Sequence, residues 1–197
     1  MEVAIVKYNA GNIYSVVNAL RRIGVEPLLT DNADDLLAAD KILFPGQGKA
    51  GTTMAYLRAH GLDRIIQDLR QPVLGICIGQ QLLCRHSEEG DTDCIGIFPV
   101  DVKRFSPIRH EDKVPAMGWN TIDIKGQQPL LKGLVTLPYA YFVHSYYVPV
   151  CPWTIAEADY ILPYSACLHK DNFYATQFHP EKSGNVGETI LKNFLEL

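Results

Sequence analysis

Pro72-Val73-Leu74-Gly75-Ile76-Cys77-Ile78-Gly79-Gln80-Gln81-Leu82-Leu83 decides how the rest of the chain is read. An apolar run ends on a cysteine, glycines stand two residues before and two after it, and a helical pattern begins beyond. G-x-C-x-G is the cysteine version of the nucleophile elbow, a strained strand-to-helix turn that exposes one reactive side chain. The glycines let neighbouring backbone come close and accept strained dihedrals. The N-terminus of the new helix adds positive potential, which favours a thiolate. Two readings of Cys77 stand at this point: a nucleophile, or a buried structural cysteine at a strand end, since free cysteine is among the most buried residue types.

Outward from this stretch, the first half alternates strand and helix. Residues 2–8 read as a buried strand, and Ile13, Val16, Val17 and Leu20 recur at helical spacing until Gly24. Residues 27–30 form a short strand, 34–39 a short helix, 41–44 a third strand and 52–69 a helix; Pro72 introduces the strand that carries Cys77. Such alternation predicts right-handed crossovers, a mostly parallel central sheet flanked by helices, and ligands at the carboxyl ends of its strands. Gly46-Gln47-Gly48 and Cys77 both follow strands directly, so both fall on that edge. From about residue 98 to 174 the pattern changes to strand-like pieces separated by Pro, Gly and Asn, among them 121–124, 141–148 and 173–178. These predict extra, partly antiparallel strands added to the sheet. A last helix is expected over 186–195. With no repeat or linker, 1–197 reads as a single domain.

Composition sets limits on function. At 47% hydrophobic and 20% charged residues the chain reads as an ordinary soluble globule. A formal charge of −4 without a basic run argues against a general nucleic-acid binder. No apolar segment reaches membrane-spanning length, and the N-terminus has neither a basic region nor a cleavage site. The 5 cysteines are odd in number and never spaced C-x-x-C, which disfavours a zinc site and a disulfide framework. A reducing cytoplasm is the expected setting.

Gln177-Phe178-His179-Pro180-Glu181 is the second informative stretch. Proline keeps the preceding residue extended, and in extended chain residues i and i+2 face the same side, so His179 and Glu181 are expected to point together. A carboxylate beside an imidazole fixes its tautomer and stabilises its protonated form. A thiol nucleophile needs such an oriented base, and with the elbow the reading becomes Cys77–His179–Glu181. Taken locally, H-x-E also fits a surface histidine and glutamate after a strand. His144, the rival base, sits mid-run in an apolar strand and reads as structural or pocket wall. His60, His86, His110 and His169 read as solvated surface positions.

Pro45-Gly46-Gln47-Gly48-Lys49-Ala50 fails as a phosphate-binding loop, because Lys49 is not followed by Ser or Thr. Its glycines suit an oxyanion hole, where backbone N–H groups face developing charge, or a plain strand-to-helix loop. Gln81 lies one helical turn beyond Cys77 and can hydrogen-bond a substrate amide there; Cys84 reads as packing. The aromatic run from Tyr139 to Tyr147 reads as core and pocket wall, and Trp119 as an interface anchor or a buried side chain.

Together, Pro-Gly-x-Gly, Gly-Ile-Cys-x-Gly-x-Gln and Gln-Phe-His-Pro-Glu, in this order and across nearly the whole chain, resemble the class I (triad-type) glutamine amidotransferases. Asn9-Ala10-Gly11-Asn12, Met117-Gly118-Trp119-Asn120, residues 141–146 and His179-Pro180-Glu181-Lys182-Ser183-Gly184 narrow the resemblance to the glutaminase subunits of imidazole glycerol phosphate synthases, of histidine biosynthesis. The resemblance implies a flavodoxin-like α/β fold, glutamine as substrate and no cofactor or metal. It implies catalysis by Cys77, His179 and Glu181, an oxyanion hole at Gly46, Gln47 and Gly48, and glutamine held by Gln81 and by His144, Ser145 and Tyr146. It implies ammonia delivery to a (β/α)8-barrel cyclase subunit, with Asn12, Trp119, Asn120, Tyr141 and Lys182 at or near that interface.

Three positions depart from the family's habit: Gln47 stands for a small apolar residue, Gln80 for a methionine, and Lys7-Tyr8 for an acidic strand end. They leave open a paralogue that feeds another barrel synthase, such as a sugar-modifying one. A non-catalytic regulatory subunit on the same scaffold is the other alternative.

Overall fold

The computed structural model describes residues 1–8, 13–46 and 48–197. In chain order the elements are β1 (Val3–Val6), α1 (Ile13–Arg22), β2 (Leu28–Thr30), α2 (Ala33–Ala38), β3 (Lys41–Phe44), α3 (Ala50–Ala59), α4 (Leu62–Asp68), β4 (Val73–Ile76), α5 (Ile78–Leu82), β5 (Cys84–Ser87), β6 (Thr92–Asp93) and β7 (Phe98–Arg104). There follow β8 (Ala116–Thr121), β9 (Asp123–Ile124), a 3-10 turn at Pro129–Leu131, β10 (Tyr139–His144), β11 (Tyr146–Tyr147), β12 (Thr154–Tyr160), β13 (Leu162–Lys170), β14 (Phe173–Thr176), a 3-10 turn at Pro180–Lys182, and α6 (Gly184–Glu196).

The large sheet runs β2-β1-β3-β4-β14-β13-β12-β9, parallel from β2 through β14 and antiparallel beyond. Strands β1, β3, β4 and β14 are buried at every position. Their nearly continuous apolar runs, broken only by Lys41 at the start of β3 and Thr176 at the end of β14, follow from cover on both faces. Along β1, Val3 and Ile5 join the core layer under α1 and α6, while Ala4 and Val6 join the layer under α2, α3 and α4. The strand period of two splits one run of sequence between two cores. Because β3, β4 and β14 are parallel neighbours, the segments that follow them emerge on one edge.

The structure differs from the sequence reading in several places. The helix expected over 52–69 breaks into α3 and α4 at His60-Gly61, where Gly61 takes a left-handed φ of 68°. The pieces after residue 98 do not all join the main sheet. β12, β13 and β9 extend it, whereas β8 pairs with β10 in a separate two-stranded sheet and β11-β7-β5-β6 form a third. The run 141–148 is divided at Ser145 between two of these sheets, and 121–124 at Ile122, which is fully buried. Alternation marks strand character but carries no information about which sheet receives it. β14 stops at Thr176, and α6 begins at Gly184, two residues before the expected start. Among the described residues no helix is long and apolar enough to cross a membrane.

Candidate active site

Cys77 joins β4 to α5 with φ 55° and ψ −108°, a conformation that strongly favours glycine. Its N–H donates to the Thr176 carbonyl (2.7 Å), which ties the turn to β14. Two glycines make the close approach possible. A Cβ on Gly79 would run into the Phe44 carbonyl, and one on Gly46 into the Ile78 side chain. α5 therefore seats directly on the end of β3, and the Pro45-Gly46 segment lies beside the cysteine. The sulfur sits at a cavity of about 400 Å³ whose walls include Gly46, Gly48, Gln81, Glu89 and His179.

His179 leaves β14 with its N–H on the Tyr141 carbonyl (2.9 Å) and its own carbonyl accepting the Ser183 hydroxyl (2.6 Å). Its Nδ1 meets Glu181 Oε1 at 2.8 Å, and both side chains are buried. The carboxylate accepts, so Nδ1 carries the proton and Nε2 is the nitrogen left free, on a ring that lines the same cavity as Cys77, whose thiol points at the Val143 carbonyl (3.7 Å). His179 is extended as expected, but Pro180–Lys182 is a 3-10 turn, so the pair meets across a turn and not along a strand. Burial alone would push the His179 pKa down. The nearby Cys77 and the hydrogen-bonded Glu181 carboxylate outweigh it and raise the pKa to about 10. An imidazolium is thus favoured at neutral pH.

His144 has the opposite balance. Burial pushes it down to about 4, against a hydrogen bond to the Tyr146 carbonyl and assisted by the nearby His179 charge. Nδ1 binds that carbonyl at 2.7 Å, the ring packs on Phe105, Phe142 and Tyr164, and Nε2 is buried without a partner among the described residues. The neutral ring shapes the wall. Gln81 Nε2 donates to the same Tyr146 carbonyl (3.0 Å) and to Gln177 Oε1 (3.0 Å). Both amide hydrogens are committed, so Oε1 is what Gln81 can offer a ligand.

Asn12 and Gln47, with Asn9-Ala10-Gly11, lie outside the described residues. Trp119 is 57% exposed and packs edge-on against Tyr141 across the β8–β10 pair. Asn120, its neighbour, faces the other side, where Nδ2 donates to the Asp159 carbonyl (2.8 Å). Lys182 lines the cavity itself. Gln80 is fully buried, with Nε2 on the Ser165 carbonyl (3.1 Å) and Oε1 unpaired among the described residues. Cys84 is buried, its thiol directed at the Gln80 carbonyl. His86 is not a plain solvated position: it bridges Asp93 (3.0 Å) and Asp91 (3.1 Å), and the Asp93 hydrogen bond raises its pKa.

Two residues at the site escaped the sequence reading. Gln177 places Nε2 3.8 Å from the Cys77 sulfur. Glu89, after β5, accepts the Ala50 N–H at 2.8 Å and lines the cavity. It caps α3, whose own N-cap residue Lys49 supplies no side-chain bond. Gln177 stood inside a quoted motif. Nothing local marks Glu89, which reaches the site only through the packing of β5 and α3.

The profile of the family "Glutamine amidotransferase class-I" matches residues 4–197. The chain is similar to the imidazole glycerol phosphate synthase subunit HisH of Bacteroides thetaiotaomicron, at 64% identity over 197 residues and 100% of both chains. It is 44% identical to the same-named subunit of Escherichia coli K12, again over 100% of both chains. Among solved structures, one described as a GMP synthase component from Thermoplasma acidophilum superposes with a TM-score of 0.77 at 21% identity, covering 100% of this chain and 93% of that one. A structure described as a glutamine amidotransferase gives 0.74 at 17%, covering 98% and 97%. At these identities the two structures speak for the fold.

Proposed function

The chain belongs to the class-I glutamine amidotransferase family, and on that premise we propose that it is the glutaminase subunit of an imidazole glycerol phosphate synthase, with Cys77, His179 and Glu181 as its catalytic triad. The observation that carries the reading is the buried Glu181–His179 pair on the wall of the cavity that the strained Cys77 also lines. Full-length identity of 64% and 44% to subunits of that name favours this reading over a paralogue serving another synthase.

Sulfur attacks the side-chain carboxamide of glutamine, forming an S–C bond while the carbonyl oxygen takes up negative charge. Backbone N–H groups at Gly46 and Gly48, both on the cavity wall, are the donors for that oxygen, the kind of stabilisation that is worth about 2.7–4 kcal/mol per donor. His179 gives its proton to the amide nitrogen as the C–N bond breaks, releasing ammonia and leaving a glutamyl thioester. It then takes a proton from water as the water attacks the thioester; the C–S bond breaks and glutamate leaves. Glu181 keeps the imidazole in the tautomer both steps need. Gln81 Oε1, the Ser145-Tyr146 backbone and the Glu89 carboxylate hold the amino-acid end, Glu89 being the natural partner of an α-ammonium group.

Ammonia passes to a (β/α)8-barrel cyclase. Trp119 and Tyr141, with exposed Met117 and Tyr139 on the same strand pair, supply an apolar docking face, continuous along β10 with Val143 at the cavity wall. The family match over 4–197 supports reading 1–197 as a single domain, and the biosynthetic role supports a cytoplasmic setting.

The test is glutamate release from glutamine by the chain with its partner cyclase and that cyclase's ribotide ligand. Cys77→Ala should abolish release while leaving the circular dichroism spectrum and pairing intact. Substantial remaining glutaminase activity would sink the triad assignment.

A further inference from the structure

We propose that Tyr8 is a positioning residue for the oxyanion hole: its hydroxyl holds the Pro45 carbonyl and so fixes the peptide plane that joins Pro45 to Gly46, a residue of the cavity wall. The inference rests on the glutaminase reading above and adds a residue to which no role in it has been given.

Tyr8 stands just beyond β1, next to β3 in the sheet. It is 4% exposed, its ring packs against Phe44 with centroids 5.8 Å apart, and its hydroxyl donates to the Pro45 carbonyl. Pro45 and Gly46 are themselves buried. The Pro45 carbonyl and the Gly46 N–H belong to one planar peptide, so orienting one orients the other. Proline's ring already fixes φ at Pro45, leaving ψ as the rotation that aims this plane. The Tyr8 bond removes that rotation. Proline has no N–H to anchor the segment from its other side.

Burial, and then the charge of nearby Cys77, raise the phenol's pKa far above its ordinary value. The hydroxyl therefore keeps its proton throughout the working pH range and remains a donor. Oxyanion stabilisation depends on dipoles that are already aimed when charge develops. A peptide held in this way has nothing to reorganise during the attack. A peptide freed by loss of the hydroxyl would leave a buried carbonyl without a donor and would turn toward water.

Tyr8→Phe keeps the ring and removes only the hydroxyl. Measured with the partner cyclase and its ligand present, kcat for glutamate release should fall about 10- to 100-fold, less than the loss of a direct oxyanion donor. KM for glutamine should stay within about twofold, because the ground-state carbonyl gains little from the hole. Alkylation of Cys77 by iodoacetamide needs the thiolate but no oxyanion donor, so its rate should also stay within about twofold. Pro45→Ala frees the same peptide by another route, and the double variant should lose less than the product of the two single losses.

An unchanged kcat in Tyr8→Phe overturns the proposal. So does a fall in kcat matched by an equal fall in alkylation, which would mean general damage to the site. If Tyr8→Phe does not fold, 4-fluorophenylalanine at position 8, which fills the hydroxyl's space without a donor, decides by the same split between turnover and alkylation. A wild-type complex that releases no glutamate would overturn the glutaminase reading itself, whereas a normal wild type with an indifferent Tyr8→Phe overturns only the brace.

Discussion

His179 and His144 are the same side chain with opposite pKa shifts, and the contrast shows what sets a titration inside this protein. Both are buried, and burial disfavours charge on each. His179 has a carboxylate and a thiol to compensate it, and rises to about 10; His144 has one carbonyl and a positive neighbour, and falls to about 4. The consequence is a pH dependence of stability with a definite sign. Between about 4 and the unfolded value of 6.5, the unfolded chain binds a proton at His144 that the native chain refuses, so stability falls as pH drops through that window. At 1.36 kcal/mol per pKa unit the loss is roughly 3 kcal/mol. His179 is protonated in both states there and adds no slope. Its own contribution is complete below 6.5 and disappears as pH rises toward 10. Urea unfolding from pH 7 to pH 4 should therefore give a flatter profile for His144→Asn, whose amide can still donate to the Tyr146 carbonyl. Equal slopes for the two proteins would remove His144 as the cause.

Each group of the site is delivered by a turn that glycine makes possible. At the elbow, Gly46 and Gly79 let α5 and the end of β3 touch. At the other side, α6 follows the His179–Glu181 turn, and Gly187 lets its first turn rest on Pro180, where an added Cβ would enter the Pro180 carbonyl. Backbone on both sides leaves nothing flexible to yield. Gly187→Ala should thus lower stability by about 1–3 kcal/mol, the usual cost of overpacking, despite alanine's better helix propensity. Because the displaced element carries His179 and Glu181, kcat should fall with it. Thermal unfolding and turnover of the one variant check both; a more stable, fully active protein would show that α6 adjusts without moving the turn.

Across the whole molecule, one edge gathers the ends of β3, β4 and β14, and the two-stranded β8–β10 sheet stands over it. Trp119 and Tyr139, at 57% and 59% exposure, together with Met117 and partly covered Tyr141, make an apolar face beside the cavity. Contiguous exposed aromatics of this kind mark association surfaces, and tryptophan is the commonest energetic anchor in them. Trp119→Ala should weaken cyclase pairing by about 30-fold or more, measured by titration calorimetry. An unchanged Kd would move the interface away from this sheet.

What the sequence determined by itself is the chemistry that local spacing encodes. An apolar run ending in G-x-C-x-G has few ways to fold other than a strand, a strained turn and a helix. A histidine two residues from a glutamate across a proline meets it whether the segment is extended, as expected, or turned, as found. Strand and helix alternation likewise announced the parallel half of the sheet. Tertiary structure alone decided the rest. Tyr8 reaches Pro45 across 37 residues, Glu89 reaches Ala50 across 39, and Gln81 reaches Tyr146 and Gln177 across 65 and 96. It also decided which of three sheets receives each late strand, and that Gly61 divides one expected helix in two. The physical reason is that hydrogen-bond donors and apolar faces specify what each segment needs. The partner that meets the need is chosen only when the chain closes on itself.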